Sequence, residues 1–213
     1  MRIEVENDRI RERKKQEYQD LVDEMDQKGF EANLEKISIK TANLFGIVLF
    51  ILVSAITYPI YYLVNGKIDP ALIFGFEGTK GMLIFFGAYL LSIFVHEFIH
   101  GFLWQFTCEK KWGSIDFGFN PKTCTPYCHC REALSFGRYF FGSIGPTLFL
   151  GIIPIILGII FKSLFLVSFG VLGFVGGAGD LMVIFSLRKH RDSRLFDHPY
   201  EVGYAYFTAK KGD

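Results

Sequence analysis

The chain has 213 residues, half of them hydrophobic, including 24 Phe and 10 Tyr, and its mean hydropathy is +0.27. This composition is unusual for a soluble domain and typical of a protein with several membrane spans. The formal net charge at pH 7 is +1. A near-neutral chain indicates neither a strongly acidic nor a strongly basic partner, so nucleic acid binding has no support.

Residues 1–42 form a segment rich in charges of both signs. Tyr18, Leu21, Val22 and Met25 recur at helical spacing within it. This pattern predicts an amphipathic helix that is solvated, lies on the membrane surface or pairs with another chain. We expect this charged N-terminal segment to be cytoplasmic.

Four apolar segments follow, each long enough to cross a bilayer, which requires about 20 residues. They lie at about 43–64, 81–106, 139–161 and 163–187. The sequence therefore predicts an all-α membrane protein with a four-span core over residues 43–187. Pro59, Pro146 and Pro154 fall inside these segments and predict kinks, because neighbouring helices can satisfy the freed carbonyl groups.

The distribution of Lys and Arg predicts the orientation of the chain. These residues are dense in the N-terminal segment, in the connection after the second apolar segment and in the tail at 188–213, and sparse in the other two connections. We therefore expect a multi-pass protein of the cell membrane, with both termini and the central connection in the cytoplasm.

The second apolar segment contains the motif His96-Glu97-Phe98-Ile99-His100. A charged side chain at the centre of a span costs about 2.5–3.5 kcal/mol, so ionisable residues there indicate a function. On a helix, His96 and His100 lie on one face and can bind one metal ion, while Glu97 can take a proton from a water at that metal. The alternative, favoured in a random soluble helix, is a pair of surface histidines beside a solvated glutamate.

Asp180, in the fourth apolar segment, is the candidate third metal ligand. It and His96 lie at similar depths, about 25 and 22 Å from the starts of their segments, and the two segments run in the same direction. Gly176, Gly177 and Gly179 precede Asp180 and permit close helix packing, with or without a catalytic role. The alternative for Asp180 itself is a carboxylate solvated near the inner membrane interface.

The connection between the second and third segments turns polar and predicts a small cytoplasmic β-hairpin. Residues 114–119 alternate as in a strand, Asn120-Pro121 marks a turn, and 123–129 form a second extended piece. Such a hairpin can hold an unwound substrate by strand addition. Four cysteines and a histidine lie in this connection. We expect reduced, unpaired thiols there, and a second, structural zinc site is the alternative. These residues are Cys108, Cys124, Cys128, His129 and Cys130.

With these motifs the chain resembles a bacterial family of small putative zincin membrane peptidases, and more broadly the site-2-protease-type intramembrane zinc metalloproteases. The residues that carry the resemblance are Val95 to Gly101, Thr125 to Cys130, Gly145-Pro146, Gly179-Asp180 and Asp197-His198-Pro199. The resemblance implies a zinc-dependent metalloendopeptidase in which His96, His100 and Asp180 bind Zn²⁺ and Glu97 is the general base.

The resemblance also implies that the substrate is a membrane protein or peptide, with the lipid bilayer as the second partner. Site-2 proteases commonly carry an asparagine three residues after the Gly-Pro, whereas this chain has Phe149 there, and Thr147 is a candidate replacement. Asp197-His198-Pro199 is expected to form a surface turn. Two other functions are consistent with the motifs: an inactive zinc-binding membrane scaffold, and a metal transporter lined by the same ionisable residues.

Overall fold

The structure is a computed structural model that describes residues 2–75, 78–120, 125–197 and 203–210. It is mostly helical, with two small antiparallel sheets. The chain divides into two compact units. One unit comprises Met1–Ile39, His100–Ser143 and Val183–Asp213, and the other comprises Lys40–Ile99 and Ile144–Met182.

Seven α-helices and six strands occur in the described residues. The helices are α1 (Arg2–Gln27), α2 (Ile39–Asn65), α3 (Gly78–Trp104), α4 (Phe136–Pro146), α5 (Ile153–Ile160), α6 (Leu164–Gly176) and α7 (Ala178–Leu187). The strands are β1 (Phe30–Lys36), β2 (Ile115–Asn120), β3 (Thr125–Cys130), β4 (Leu134–Ser135), β5 (Arg194–Asp197) and β6 (Gly203–Ala209). Short 3₁₀ turns lie at Pro70–Leu72, Lys111–Ser114 and Arg188–His190.

Three helices among the described residues are long and apolar enough to cross a membrane: α2, α3 and the continuous helix Phe136–Ile160. They cover the first three predicted apolar segments. Leucines, isoleucines and phenylalanines along α2 and α3 remain exposed, as expected for helices that meet lipid rather than water. The chain is therefore membrane-associated. The fourth predicted segment is the pair α6 and α7, bent by 44° at Gly177, and it adds a span only if the pair crosses as one.

The third apolar helix changes its winding between α4 and α5. Thr147–Ile152 is a π-helical segment, in which the N–H of Ile153 donates to the carbonyl of Leu148, five residues back. Pro154 follows and has no N–H to donate, so the regular α-helical bond to Leu150 is lost. The irregularity predicted from Pro154 thus takes the form of a widened turn within a continuous helix.

A four-stranded antiparallel sheet, in the order β1-β6-β5-β4, joins the two ends of the chain. Alternating residues of β6 point to opposite faces. Tyr204 packs with Trp104, Tyr139 and Leu195 on one face, and Phe207 packs with Phe196 on the other. Burial of each such large apolar side chain stabilises the fold by about 1.5–3 kcal/mol.

The helix predicted in the N-terminal segment is present as α1, but its predicted environment is wrong. Tyr18, Leu21 and Met25 are buried against Phe196 and Phe207 of the sheet. The apolar stripe is therefore covered by the chain's own strands, rather than by water, a membrane or another chain. The extended pairing of β1 with the C-terminal strand β6 had no counterpart in the sequence analysis.

The two extended pieces predicted between the second and third apolar segments are present as strands β2 and β3. Strands β2 and β3 pair antiparallel, with Ile115 opposite Cys130 and Asn120 opposite Thr125. The predicted turn residue Pro121 and the cysteine Cys124 lie outside the described residues.

Candidate metal centre

The two histidines of the motif lie one turn apart on α3, as their spacing predicts. The His96 side chain is 15% exposed, and His100 is buried. Glu97 follows His96 on the same helix and is half-buried. Asp180 lies in the first turn of α7, 84 residues further along the chain than His96.

Asp180 and His96 are in direct contact, with His96 Nε2 3.1 Å from Asp180 Oδ2. One ligand atom each from His96, His100 and Asp180 lies within 4.8 Å of the other two. Two ligands of a tetrahedral zinc ion, each bonded at about 2.1 Å, are about 3.4 Å apart. Small side-chain rotations therefore suffice for this set of two imidazoles and one carboxylate to fit a zinc ion.

His100 is held in the orientation and tautomer that metal binding requires. Its Nδ1 donates to the carbonyl oxygen of Gly142 on α4, at 3.0 Å, so the lone pair of the neutral ring is on Nε2. The indole of Trp104, one turn further along α3, stacks on the imidazole, with ring centroids 5.2 Å apart and planes inclined by 17°. The Trp104 N–H donates to the carbonyl of Tyr139 at 3.2 Å. Helix α4 thus supplies acceptors that fix both rings.

The bend between α6 and α7 puts Asp180 at the start of a new helix. The first helical bond of α7 runs from the N–H of Leu181 to the carbonyl of Gly177. A Cβ on Gly177 would overlap the hydroxyl of Thr147, whereas Gly176 and Gly179 face open space. Of the three glycines before Asp180, only Gly177 is required by close packing. Thr147 itself is 1% exposed, and its hydroxyl oxygen has no hydrogen-bond partner among the described residues.

A polar cluster that the sequence analysis missed lies around Asp197, which is half-buried, whereas its partners are buried. The hydroxyl of Tyr139 donates to Asp197 Oδ1 at 2.7 Å, and His129 Nδ1 lies 3.2 Å from Oδ2. Burial raises the pKa of Asp197, but the hydrogen bond and charge of His129 and the hydrogen bond of Tyr139 outweigh it and hold this pKa below its ordinary value.

The expected surface turn is therefore wrong for Asp197, whereas His198 and Pro199 lie outside the described residues. The sequence signal was an acidic residue directly after the apolar pair Leu195-Phe196. Only the fold brings Tyr139 and His129 to that carboxylate, because each comes from a different element.

Two of the described cysteines near the hairpin, Cys108 and Cys130, form a thiol pair. Cys108 Sγ and Cys130 Sγ are 3.2 Å apart, and both side chains are buried. Cys128 is half-buried on β3, and no disulfide bond joins the three described cysteines. In the described part of the chain, the grouping of His96, His100 and Asp180 is the only one with metal-binding geometry.

Comparison with known proteins gives one family. The model of the putative zincin peptidase family matches residues 89–195, just over half of the chain, and this segment includes His96, Glu97, His100 and Asp180. No curated protein and no solved structure matches the chain. A zincin peptidase is a metallopeptidase that uses zinc, in agreement with the donor set described above. The chain therefore belongs to the putative zincin peptidase family, with zinc as the implied cofactor.

Proposed function

We propose that this protein is an intramembrane zinc metalloprotease of the site-2-protease type, which hydrolyses peptide bonds of membrane-associated substrates. The observation that carries the proposal is the convergence of His96, His100 and Asp180 to within 4.8 Å on two apolar helices. Ionisable groups among apolar residues are costly unless they bind a partner, and two imidazoles with a carboxylate are a common catalytic zinc set.

The proposal assigns a specific role to each ligand of the metal centre, to Glu97 and to the residue that orients His100. His96, His100 and Asp180 hold the ion, and Gly142 orients His100 through its carbonyl. When bound, zinc lowers the pKa of a water and polarises the scissile carbonyl. Glu97 accepts a proton from the attacking water and then donates it to the leaving amine, which requires a carboxylate within hydrogen-bonding reach of that water.

The surroundings of the motif support a substrate in the membrane. Leu91, Phe94 and Phe98 are exposed on α3 near His96. A substrate helix shields its own carbonyls by hydrogen bonds, so its cleavage segment must unwind before attack. We therefore propose a membrane protein or peptide as the substrate, and a multi-pass cell-membrane location with both termini in the cytoplasm.

The test separates zinc binding from chemistry. Wild type and Glu97→Gln are purified in detergent, their zinc content is measured, and a fluorescently labelled single-span peptide is offered in proteoliposomes. We expect equal zinc in both proteins and a loss of about 10²–10⁴-fold in cleavage rate for Glu97→Gln. Equal cleavage by both proteins would reject the assignment of Glu97. Zinc without any cleavage, across a set of such peptides, would favour the inactive scaffold.

A further inference from the structure

An aromatic surface continues from the end of α3 onto the hairpin. Its members, which we call the aromatic patch, share an exposed side chain and lie within one compact unit. They are Phe102 (44% exposed), Phe106 (64%), Trp112 (45%), Phe117 (47%) and Phe119 (46%). Isolated exposed aromatic residues are ordinary, but a contiguous group marks an interaction surface.

Ring contacts make the patch continuous. Phe102 and Phe106 meet edge to face, with centroids 5.2 Å apart. Trp112 lies 6.4 Å from Phe102 and 6.5 Å from Phe117, so its indole connects the helix end to strand β2. Phe119 lies two residues beyond Phe117, on the same face of the strand.

Strand β2 is fixed directly on the helix that carries the histidines. A Cβ on Gly101 would overlap the Phe117 ring and would lie 2.9 Å from Cγ2 of Ile115. The absence of a side chain at position 101 lets the strand pack against the turn that follows His100. The patch therefore has a defined position relative to α3.

The hairpin is amphipathic, because its opposite face is charged. Asp116, which alternates with Phe117, accepts from Arg13 at 3.0 Å and from Arg131 at 2.9 Å. The ammonium group of Lys14 lies 3.7 Å from the ring centroid of Tyr127 on the paired strand. One face of the hairpin is thus bound to helix α1 through charged groups, while the other presents exposed aromatic rings.

The patch also continues a stripe on a helix that is apolar enough to cross a membrane. Phe94, Phe98 and Phe102 recur every four residues on α3, and Phe94 and Phe98 are 57% and 53% exposed. Aromatic residues, Trp above all, are enriched where a span leaves the hydrocarbon core. Trp112 lies at that point in the chain, eight residues beyond the last residue of α3.

We propose that the aromatic patch is seated in the interfacial layer of a phospholipid bilayer, so that strand β2 lies at the membrane surface with its charged face turned away from the lipid. The partner is the boundary between acyl chains and headgroups. The proposal goes beyond the proposed peptidase activity, and it depends on α3 as a membrane span but on neither zinc nor proteolysis.

Trp112 is a natural reporter of this contact. The chain has two tryptophans, and the other, Trp104, is only 3% exposed. The difference in emission between the full-length wild type and Trp112→Phe, in phosphatidylcholine vesicles, therefore belongs to Trp112. Two lipid quenchers are compared: bromine attached near the headgroup end of the acyl chains and bromine attached near their methyl end. Iodide in the water is the third quencher.

We expect the Trp112 emission to be blue-shifted, strongly quenched by the shallow bromine and little quenched by iodide. Two further reporters in the Trp112→Phe background calibrate depth. Glu31→Trp, at an exposed position of strand β1, is expected to respond to iodide alone, and Phe94→Trp, on α3, is expected to respond to deeper bromine.

Two results would overturn the proposal. Quenching of Trp112 by iodide to the extent seen at Glu31→Trp would place the patch in water. Protection of Trp112 from both quenchers would mean that protein, either another polypeptide or a second copy, covers the patch. If Phe94→Trp also fails to respond to brominated lipid, the membrane span itself is rejected, and the proposed intramembrane location is rejected with it.

Discussion

His96 and Asp180 lie 84 residues apart in the chain, yet His96 Nε2 is 3.1 Å from Asp180 Oδ2. Two partly buried groups of opposite potential charge at this distance can pair with each other or share a cation. The addition of His100 within 4.8 Å favours the shared cation, because a simple ion pair needs no third donor.

The first prediction concerns zinc stoichiometry. We expect about one zinc per chain in purified wild type and loss of zinc in His96→Ala, His100→Ala and Asp180→Ala, because each removes one of three ligands. Elemental analysis of the detergent-solubilised proteins measures the amount of zinc per chain. His190→Ala is the matched control, since His190 contacts Glu35 instead of the centre.

Retention of full zinc by Asp180→Ala would contradict the three-ligand centre. It would leave the contact with His96 as a simple hydrogen bond. Loss of zinc from the His190→Ala control would show that the assay reports unfolding instead of ligand removal.

The second prediction concerns the support of His100 by helix α4. A methyl group at Gly142 would overlap the Trp104 indole, and the carbonyl of Gly142 is the acceptor for His100. We expect Gly142→Ala to weaken zinc affinity about 10–100-fold, as found when the hydrogen-bond partner of a metal ligand is disturbed. Competition with a zinc chelator measures the zinc affinity of each protein.

Gly137 provides the control for this substitution. It lies on the same helix, and a methyl group there would meet nothing within 4 Å. Gly137→Ala should therefore keep wild-type affinity. Equal affinity of both variants would show that the Gly142 contact does not govern His100.

The third prediction concerns the thiol pair. Cys108 Sγ and Cys130 Sγ are 3.2 Å apart, and the hydrogen bond from Cys130 lowers the pKa of the Cys108 thiol despite its burial. Diamide should therefore join these two cysteines. The Cys108 thiolate adds to the azo group of diamide, and the sulfur of Cys130 then displaces the resulting hydrazine, which leaves with two electrons and two protons as the disulfide forms. Mass spectrometry of proteolytic peptides identifies the bond.

Cys128 lies on the same strand as Cys130 and serves as the internal control. It should stay available to an alkylating agent when Cys108 and Cys130 have become linked. A bond from Cys128 to either of them at a comparable rate would contradict the arrangement of the hairpin against the end of α3.

Local patterns in the sequence predicted the features that depend on neighbouring residues. Of the four spans predicted from the apolar runs, three are continuous helices. The spacing of His96 and His100 predicted their shared face, and alternation predicted β2. The similar depths of Asp180 and His96 in their apolar segments predicted that these side chains lie close together. In the structure, Asp180 lies beside both histidines.

The features that were missed depend on contacts between distant segments. Strand β1 carries no strong strand pattern and forms because β6 offers a paired edge. The spacing of Tyr18, Leu21 and Met25 predicts that an apolar surface covers this face of the helix, but it does not reveal that strands β5 and β6 supply this surface. Gly177, at the bend between α6 and α7, leaves room for the hydroxyl of Thr147, a contact with another segment that the local sequence does not reveal.

The last prediction concerns the acid sensitivity that Asp197 gives to the fold. The hydrogen bonds of His129 and Tyr139 hold its pKa below the ordinary value of about 3.9, despite burial. A carboxyl group whose pKa is lower in the folded state than in the unfolded state stabilises the fold. This contribution is complete at pH values above the pKa of the unfolded state. That contribution is lost as the pH falls from about 4 through the folded pKa.

Asp197→Asn should therefore lower the free energy of unfolding by about 1–3 kcal/mol at neutral pH, because it removes a charged acceptor from buried partners. The difference from wild type should shrink below about pH 4, where the wild-type carboxyl becomes protonated as well. Thermal unfolding in detergent across this range measures it, with Glu31→Gln, an exposed carboxylate, as the control. A difference that stays constant into acid would contradict the prediction, because the stabilisation would then come from packing instead of from the charge of Asp197.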